Sequence, residues 1–379
     1  MPSDSGRWRH ILLLVVVNAF VGGMVGLERT LLPLLAESEY GVASAAAAFS
    51  FIVTFGLSKA FVNLAAGSLA DRFGRRRVLL AGWLAGIPVP LVVLFAPSWG
   101  YIVAANALLG VNQGLAWSMT VNMKLDRARA DERGLVVGLN EAAGYLGVAA
   151  LAFVTALYAT REAMGALGLG LALAGLLLSL LARDAERPAA RRGELARAFR
   201  DRAFAAPSVA GLATNLKDGA LWGLLPLALA ARGLDLATIG AVVAAYPVAW
   251  GLGQLAFGPF SDRVGRRGLA VVGLALQAAG VAALALAPGA AGALAAAIVV
   301  GLGTAMAYPT LLALVADRAR PQARATALGV YRFWRDLGYA AGAVGAGVVA
   351  DAAGFGAALL SVAAFVALAA LPLHLSREG

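Results

Sequence analysis

The chain has 379 residues, of which 61% are hydrophobic and only 14% are charged, and its mean hydropathy is +0.80. Soluble domains carry about 25% charged residues, so this composition excludes a soluble protein and indicates that most of the surface faces lipid. The chain has no cysteine, and its only histidines, His10 and His374, lie near the two ends. We therefore predict no disulfide, no bound metal and no cofactor.

The formal net charge is +10, which in a soluble protein would raise the question of nucleic-acid binding. Here the basic residues fall in short segments between apolar runs, a pattern that is typical of membrane topology instead. We expect the partners to be the lipid bilayer, a small-molecule substrate and protons, with no nucleic acid, and we expect a monomer.

The first apolar run follows Arg7 and Arg9 and extends over 10–36, through Glu28 and Arg29. It is too long for the apolar region of a signal peptide, and no small-residue cleavage site follows it. The run therefore predicts a first transmembrane helix that is retained in the mature protein.

Eleven further apolar runs follow in chain order, separated by charged residues or by glycine and proline. A helix needs about 20 apolar residues to cross a bilayer, and each run is close to that length. We predict an all-α polytopic membrane protein with twelve transmembrane helices. The predicted spans are 10–36, 44–70, 78–97, 100–123, 134–158, 162–182, 205–231, 237–261, 268–288, 290–316, 324–350 and 354–375.

Lysine and arginine are distributed unequally between the two sides of this arrangement. Only Arg161 and Arg232 lie in the loops of one side, whereas 24 of the 31 basic residues lie on the other side. This asymmetry predicts that both termini are cytoplasmic, which requires an even number of spans. The Ala-, Arg- and Gly-rich composition favours a prokaryotic plasma (inner) membrane. The basic segments are the two termini, 71–77, 124–133, 183–202, 262–267 and 317–324.

An internal repeat divides the chain into two halves. Asp71-Arg-Phe-Gly-Arg-Arg76 recurs as Asp262-Arg-Val-Gly-Arg-Arg267, 191 residues later, and Asp126-Arg-Ala-Arg129 recurs as Asp317-Arg-Ala-Arg320 at the same offset. Leu31-Leu-Pro-Leu34 recurs as Leu224-Leu-Pro-Leu227 at an offset of 193. Three ordered matches at nearly one offset indicate duplicated bundles with a site at their interface. The predicted domains are an N-terminal six-helix bundle, a cytoplasmic linker and a C-terminal six-helix bundle, at 1–182, 183–204 and 205–379 respectively.

The repeated loop also carries a family resemblance. The sequence from Gly67 to Arg77 resembles the loop signature between helices two and three of the major facilitator superfamily, and Gly258 to Arg267 is its second copy. The resemblance implies a secondary transporter that works by alternating access between two pseudo-symmetric six-helix bundles. It also implies that this loop is a conformational latch formed by Gly67, Asp71, Arg72, Gly74, Arg75, Arg76, Gly258, Asp262, Arg263, Gly265, Arg266 and Arg267.

The residue types of this loop fit such a latch. An aspartate at a helix end and arginines a few residues later form charge-assisted hydrogen bonds. Such bonds can hold neighbouring helix ends together in one conformation and release them in another. The alternative is that the arginines only determine membrane topology.

Two other patterns seen in proton-coupled relatives are incomplete here. Gln113-Gly114 in the fourth span is preceded by Gly110 where those relatives carry an arginine. The fifth span reads Gly138 to Gly147 without the proline of drug/proton antiporters. Both differences weaken the drug-antiporter interpretation.

Charged residues inside the predicted spans are costly in lipid and are functional candidates by default. The proton-coupling candidates are the carboxylates Glu28, Glu141, Asp218 and Asp336. Neighbouring residues on a helix point about 100° apart. We therefore expect Glu28 and Arg29 to have separate partners on other helices, and we expect only one residue of the pair Lys217 and Asp218 to face the cavity.

The basic residues of the spans outnumber the acidic ones by five to four. Arg332, Arg335 and Asp336 are spaced to share one helical face, and arginine suits planar carboxylate or phosphate groups. This favours an anionic or zwitterionic substrate over the alternative of charges that cancel in a buried network. The predicted substrate-cavity residues are Arg29, Lys59, Asn112, Gln113, Asn140, Asn215, Lys217, Tyr246, Trp250, Gln254, Tyr308, Arg332 and Arg335.

No enzyme motif is present: the sequence has neither a phosphate-binding loop nor a His-Glu-x-x-His pair. We therefore predict a transporter driven by a gradient, and not an enzyme. The favoured function is proton-coupled export of a small amphipathic or anionic compound. Uptake or facilitated diffusion of a metabolite stays open, and so does a non-transporting membrane sensor or partner protein.

Overall fold

The structure, a computed structural model, describes residues 4–129, 132–158, 160–185, 195–320 and 324–375, which are almost entirely helical. A short 3-10 helix, Arg202–Phe204, precedes α11. The helices are α1 Asp4–Arg29, α2 Leu32–Ser38, α3 Ala45–Ala48, α4 Ser50–Phe73, α5 Arg75–Gly86, α6 Pro88–Phe95, α7 Trp99–Leu125, α8 Arg133–Tyr158, α9 Arg161–Leu180, α10 Leu195–Arg200, α11 Ala205–Ala230, α12 Leu236–Val264, α13 Arg266–Leu286, α14 Gly289–Arg318 and α15 Arg324–Leu375.

Within the described ranges, nine helical segments are long and apolar enough to cross a membrane. The last of them, Thr326–Leu375, is broken at Gly354, whose φ of +84° is incompatible with a continuous helix. Helices α7 and α11 have 27 and 26 residues and carry polar side chains along their length. The division at Gly354 and these two helices would give twelve spans, and that number stays a prediction.

Two faces of the molecule collect the helix ends. On one face, Arg7 pairs with Glu132 and Arg75 pairs with Asp126, and Arg76 donates to the carbonyl of Leu180 at 2.7 Å. We call this the basic face; it includes 4–10, 71–77, 124–129, 195–204 and 262–267. The other, which we call the opposite face, includes 39–44, 96–98, 160–161, 231–235 and 351–354.

Two arginines cap helix ends on the opposite face. Arg161 donates to the carbonyls of Val93, Leu94 and Ala96 at 2.8–3.3 Å. Arg232 donates to the carbonyls of the equivalent residues in the repeat, at 2.9–3.3 Å. Carbonyls at a helix end lack intrahelical partners, so each guanidinium satisfies several of them at once. The residues bound by Arg232 are Leu284, Ala285 and Ala287.

The first half of the described chain (α1–α9) meets the second half (α11–α15) along two seams, α4 with α15 and α8 with α12. Glycines show where these seams are tight. A Cβ added at Gly56 would lie 2.7–2.8 Å from Tyr339 and Ala340, and one at Gly240 would lie 2.2 Å from Ala156. The halves are therefore in close contact from the opposite face to the centre of the molecule.

The same seams are loose at the basic face. A Cβ added at Gly67 of α4 or at Gly258 of α12 would meet nothing described within 4 Å. Gly67 lies eleven residues beyond Gly56, or about 16 Å along the helix at 1.5 Å per residue. We infer from this contrast that the seams are closed at the opposite face and widen toward the basic face.

Candidate functional site

Asp336 of α15 is held by both halves at the centre of the molecule. Its carboxylate accepts hydrogen bonds from Asn63 of α4 and, at 2.9 Å, from Asn215 of α11. The guanidinium of Arg335 donates to the same carboxylate at 2.7–2.8 Å and to the Tyr308 hydroxyl at 2.6 Å. Asp336 is fully buried, and these four donors fix it as a charged partner of Arg335.

A second buried pair lies within α11. Lys217 and Asp218 are neighbours in sequence, yet Lys217 Nζ lies 3.4 Å from the Asp218 carboxylate. Lys217 also donates to the hydroxyls of Tyr246 and Thr304 at 2.7 and 2.8 Å, and Tyr246 donates to Asp218. The two side chains do not point apart, because the long lysine side chain bends back toward its neighbour and both converge on Tyr246. Which of them faces a substrate cavity stays a prediction.

Lys59 of α4 is enclosed by aromatic rings. Its ammonium lies 5.4 Å from the ring centre of Phe55, 5.6 Å from that of Trp117 and 5.2 Å from that of Tyr339. Ring faces attract cations at such distances. The ammonium makes no hydrogen bond within the described chain, so all three of its donors are free for a ligand. Because Tyr339 belongs to the second half, Lys59 lies at the α4–α15 seam.

Glu141 of α8 is bonded through one oxygen only. Oε1 accepts from Trp117 Nε1 and from Asn140 Nδ2, each at 2.9 Å. Oε2 is buried and has no hydrogen-bond partner among the described residues. A carboxyl group with a free buried oxygen can take up a proton there without breaking either existing hydrogen bond.

Aromatic side chains from both halves meet across the α8–α12 seam. Tyr145 of α8 stacks on Trp250 of α12 with ring centres 3.5 Å apart. Tyr308 contacts both rings, with centres 6.0 and 5.1 Å away, and Trp117 lies 5.3 Å from Tyr145. Together with Lys59 and Arg335, these rings provide an amphipathic lining between the halves.

Glu28 and Arg29 point in different directions, as neighbours on a helix are expected to do. Arg29 lies over the Trp222 ring of the second half, 5.1 Å from its centre, and makes no ion pair within the described residues. Glu28 lines a cavity of about 10 Å³ together with Val89, Pro90 and Met164. Glu28 therefore lies inside the first half, away from both seams.

Arg332 is half-buried and makes no hydrogen bond in the part of the chain that the structure describes. The i, i+4 spacing of Arg332 and Asp336 would permit an ion pair between them. No such pair forms, because Arg335, Asn63 and Asn215 already occupy the Asp336 carboxylate. Arg332 is close enough to Glu141 of the other half to interact with it electrostatically. It is a cation without a dedicated partner.

Three predicted cavity amides have different surroundings. Asn112 Nδ2 donates to the carbonyl of Gly82 at 2.9 Å and Gln113 Nε2 donates to that of Val21 at 2.7 Å. Both side chains tie α7 to helices of its own half, and their place in the substrate cavity stays a prediction. Gln254 of α12 is also buried, but its side-chain oxygen and nitrogen have no partner among the described atoms. Gln254 is therefore available to a ligand.

Two of the predicted latch arginines form ion pairs within their own halves. Arg75 pairs with Asp126 in the first half, and Arg266 pairs with Asp317 in the second. Asp71 is exposed. Gly74 and Gly265 have φ values of +87° and +91°, which glycine adopts without strain. Arg72 and Arg263 are also exposed, and the side chain of Asp262 lies outside the described part.

Sequence reasoning missed three residues of this site. Asn63 bonds Asp336 across the seam, and an amide within an apolar span is the signal that would have found it. Tyr145 gave no such signal, because aromatic residues are common in spans. Lys124 belongs to a predicted basic loop, but it is fully buried in α7, where its Nζ donates to the carbonyl of Leu14 at 3.0 Å.

Comparison with known proteins places this arrangement in a family. Residues 11–214 and 207–378 match the family model of the Major Facilitator Superfamily. A stretch of 126 residues is 35% identical to the multidrug efflux pump LfrA of Mycolicibacterium smegmatis. That match covers 32% of this chain and only 25% of the pump.

Two solved structures have the same fold over nearly the whole chain. The nucleoside transporter NupG superimposes with a TM-score of 0.80 at 13% identity, covering 96% of this chain and 99% of NupG. The human organic anion transporter MFSD10 (TETRAN) gives a TM-score of 0.74 at 18% identity, covering 98% of this chain and all of the other. The predicted all-α polytopic fold and the family resemblance are confirmed. This chain belongs to the Major Facilitator Superfamily and is a multi-pass membrane transporter, not an enzyme.

Proposed function

We propose that this transporter exports a small amphipathic anion in exchange for protons. The observation that carries the proposal is the excess of positive charge where the halves meet. Arg335 and Lys217 are neutralised by neighbouring carboxylates, whereas Arg29, Lys59 and Arg332 have no ion-pair partner within the described residues. Of the two described span carboxylates without an ion pair, Glu28 lies inside the first half, so Glu141 is left beside the seam to balance these three cations.

The aromatic lining supports an amphipathic substrate over a small inorganic anion. Trp117, Tyr145, Trp250 and Tyr308 form a continuous set of rings between the halves. Such rings bury apolar area and stack on planar groups, while Lys59 and Arg332 supply the attraction for a carboxylate or phosphate. A compound with both an apolar body and an anionic group satisfies both parts of this lining.

Glu141 is the proton carrier that the geometry favours. Asp336 is held by four donors, so protonating it breaks existing bonds. Glu28 lies away from the seams. Asp218 and Glu141 each have one buried oxygen without a hydrogen-bond partner among the described residues, but Asp218 is already paired with Lys217, whereas Glu141 makes no ion pair among those residues.

The loosening of the seams toward the basic face supports alternating access. In this mechanism residues 1–182 rock against 205–379, and the state described here opens toward the basic face. In our proposal the basic face is cytoplasmic, because it carries most of the lysines and arginines, and the transporter is localised to the plasma membrane. In the other state, the helix ends at Gly67 and Gly258 come together and the latch arginines bridge the halves.

Similarity to part of an efflux pump supports export. The sequence identity to NupG is only 13%, so the similarity to NupG concerns the fold alone. Proteoliposomes with an imposed pH gradient of either sign distinguish the two directions. Movement of substrate against its own gradient and opposite to the flow of protons supports exchange. Movement of substrate in the same direction as the protons supports proton-coupled uptake. Absence of any solute flux supports the sensor interpretation.

The charge of the substrate can be tested first by thermal unfolding of the purified protein. A ligand that binds the folded state raises its apparent melting temperature. We expect aromatic carboxylates such as salicylate to do so and the lipophilic cation tetraphenylphosphonium not to. The variant Lys59→Gln is expected to lose the response to carboxylates, while Arg320→Gln, which removes one positive charge from an exposed position, retains it. A response to the cation alone rejects an anionic substrate.

The carrier is tested by Glu141→Gln in the same proteoliposomes, using the carboxylate that gives the largest thermal response. We expect uphill transport driven by a pH gradient to disappear, because the amide cannot bind the transported proton. Exchange of labelled for unlabelled carboxylate should persist. Glu28→Gln is the matched control and should keep uphill transport. Normal proton-driven accumulation in Glu141→Gln contradicts the assignment.

A further inference from the structure

A groove of about 630 Å³ opens on the basic face, away from the seams between the halves. It lies where α4 ends at Phe73, where α5 begins, and where α9 ends at Leu180. These helix ends are also the ends of three candidate membrane spans. The groove is therefore at the boundary between the bilayer and water.

The floor of this groove is fixed by hydrogen bonds. The guanidinium of Arg76 donates to the carbonyl of Leu180 at 2.7 Å, and the backbone N–H of Arg76 donates to Asp184 at 2.9 Å. A Cβ in place of the Gly74 hydrogen would come within 2.8 Å of Asp184. Asp184 thus accepts from the first turn of α5 and is the only acidic residue among the described residues that line the groove.

The groove carries positive charge that no described residue neutralises. Arg77 and Arg183 both line the groove and are exposed. Neither side chain makes a hydrogen bond or an ion pair within the described residues. Together with Arg76, which also lines the groove, they form a group of three arginines of the kind that binds phosphate, since each guanidinium presents several donors to planar or tetrahedral oxyanions.

The rim of the groove is apolar and exposed. Phe73 is 45% exposed, Leu180 46% and Leu181 63%. In a membrane protein, exposed apolar side chains at a helix end contact acyl chains. A ligand that fills this groove therefore needs a phosphate for the arginines and hydrocarbon for the rim.

We propose that this groove binds an anionic phospholipid, with its headgroup phosphate between Arg77 and Arg183 and its acyl chains along Phe73 and Leu181. Basic pockets between transmembrane helices bind such headgroups in general. The repeat offers an internal comparison, because the positions 191 residues after Arg77 and Arg183 are Gly268 and His374, and neither is an arginine. The lipid site is thus a property of the first half alone.

The test uses the full-length protein in detergent and measures its apparent melting temperature with phosphatidylglycerol, phosphatidylcholine or inorganic phosphate added. We expect phosphatidylglycerol to raise the melting temperature of the wild type and phosphatidylcholine to leave it unchanged. Arg77→Gln combined with Arg183→Gln should lose the increase. The control combines Arg263→Gln with Arg320→Gln, which removes the same charge from exposed positions of the second half, and should retain it.

Two outcomes overturn the proposal. An undiminished response to phosphatidylglycerol in the Arg77/Arg183 double variant places the lipid elsewhere. An equal response to inorganic phosphate makes the groove a site for free phosphate and not for lipid. Since no solute flux is measured, neither result depends on the proposed substrate or on proton coupling.

Discussion

At the scale of single residues, the buried charges divide into two kinds. Arg335 with Asp336 and Lys217 with Asp218 are paired and hydrogen-bonded. Lys59 and Arg332 have no hydrogen bond within the described chain and lie near the seam. Breaking a buried pair leaves an uncompensated charge, which costs far more than the pair itself contributes. The paired residues should therefore matter for stability, and the unpaired ones for substrate.

Asp336→Asn tests the structural role of the paired charges. The change leaves Arg335 buried without its counter-charge, which we expect to lower the free energy of unfolding by about 3–5 kcal/mol. Thr310→Val is the control, since it removes one buried neutral hydrogen bond to Met306 and should cost only about 1 kcal/mol. Thermal unfolding in detergent measures both. Equal melting temperatures for the two variants would contradict the assignment of Asp336 as the central counter-charge.

A second prediction concerns pH and a pair outside the membrane. Hydrogen bonding to Arg7 lowers the pKa of Glu132 from 4.5 to about 2. A carboxyl group whose pKa is lower in the folded state than in the unfolded state stabilises the fold at any pH above the unfolded pKa. This stabilisation is lost as the pH falls from the unfolded pKa through the folded pKa. The melting temperature of Glu132→Gln should therefore fall below that of the wild type at neutral pH. The difference should vanish between pH 4.5 and about 2, and a constant difference over this window would refute the link.

The sequence identified the charged residues of the site but not their partners. Glu141 and Asp336 were found because a carboxylate inside an apolar run is conspicuous. The hydrogen-bond partners of these carboxylates depend on how each helix is rotated about its own axis. Apolar periodicity does not determine that rotation where a helix is buried on several sides. Asn63 and Tyr145 became visible only once the halves were placed together.

At the scale of elements, small residues set how closely helices approach. A Cβ at Gly22 of α1 would lie 1.9 Å from the carbonyl oxygen of Gly144 in α8, and one at Gly26 would lie 2.3 Å from that of Val148. These glycines, four residues apart, form a flat surface on which the backbones of α1 and α8 meet. Close backbone contact is the main source of helix association in lipid.

Gly22→Ala should therefore destabilise the first half. The added methyl group overlaps the α8 backbone, which has no room to move without separating the helices, and overpacking of this kind costs about 1–3 kcal/mol. Gly170→Ala in α9 is the control, since nothing described lies within 4 Å of its Cβ position. We expect a lower melting temperature for the first variant only. Equal stability of the two would show that α1 and α8 can separate freely.

Apolar runs predicted most helix positions closely. The run 134–158 corresponds to α8 Arg133–Tyr158, and 162–182 to α9 Arg161–Leu180. The misplaced boundary is at the end of α7, which continues through Lys124 to Leu125. A lysine at the end of an apolar run looks like the start of a loop. Only the neighbouring carbonyl of Leu14 makes its burial possible.

At the scale of the whole molecule, one acidic side chain joins the halves at the opposite face. Asp351, at the end of a spanning helix in the second half, accepts from Ser44 Oγ at 2.7 Å and from the backbone N–H of Ala45 and Ala46 at 2.6 and 3.1 Å. It therefore caps α3 of the first half. Asp235 makes a similar cap on its own helix α12 through Thr238.

Asp351→Ala should shift the molecule away from the state that is open at the basic face. The native chain has no cysteine, so Gly67→Cys introduces a single thiol whose labelling by a water-soluble maleimide reports that opening. We expect labelling to slow several-fold in Asp351→Ala, since charge-assisted bonds to the closed face are lost. Asp235→Ala, whose bonds stay within one half, should leave the rate unchanged. Equal slowing in both variants would indicate a general loss of stability.

The two arginine caps of the opposite face have a consequence for insertion into the membrane. Arg161 and Arg232 each give their donors to carbonyls at the equivalent ends of α6 and α13, although they come from loops that are not equivalent in the repeat. Once folded, each guanidinium is shielded by the negative end of a helix dipole. In the proposed orientation, the side that must be translocated thus presents almost no free positive charge among its described residues, and each half neutralises its arginine through a different loop.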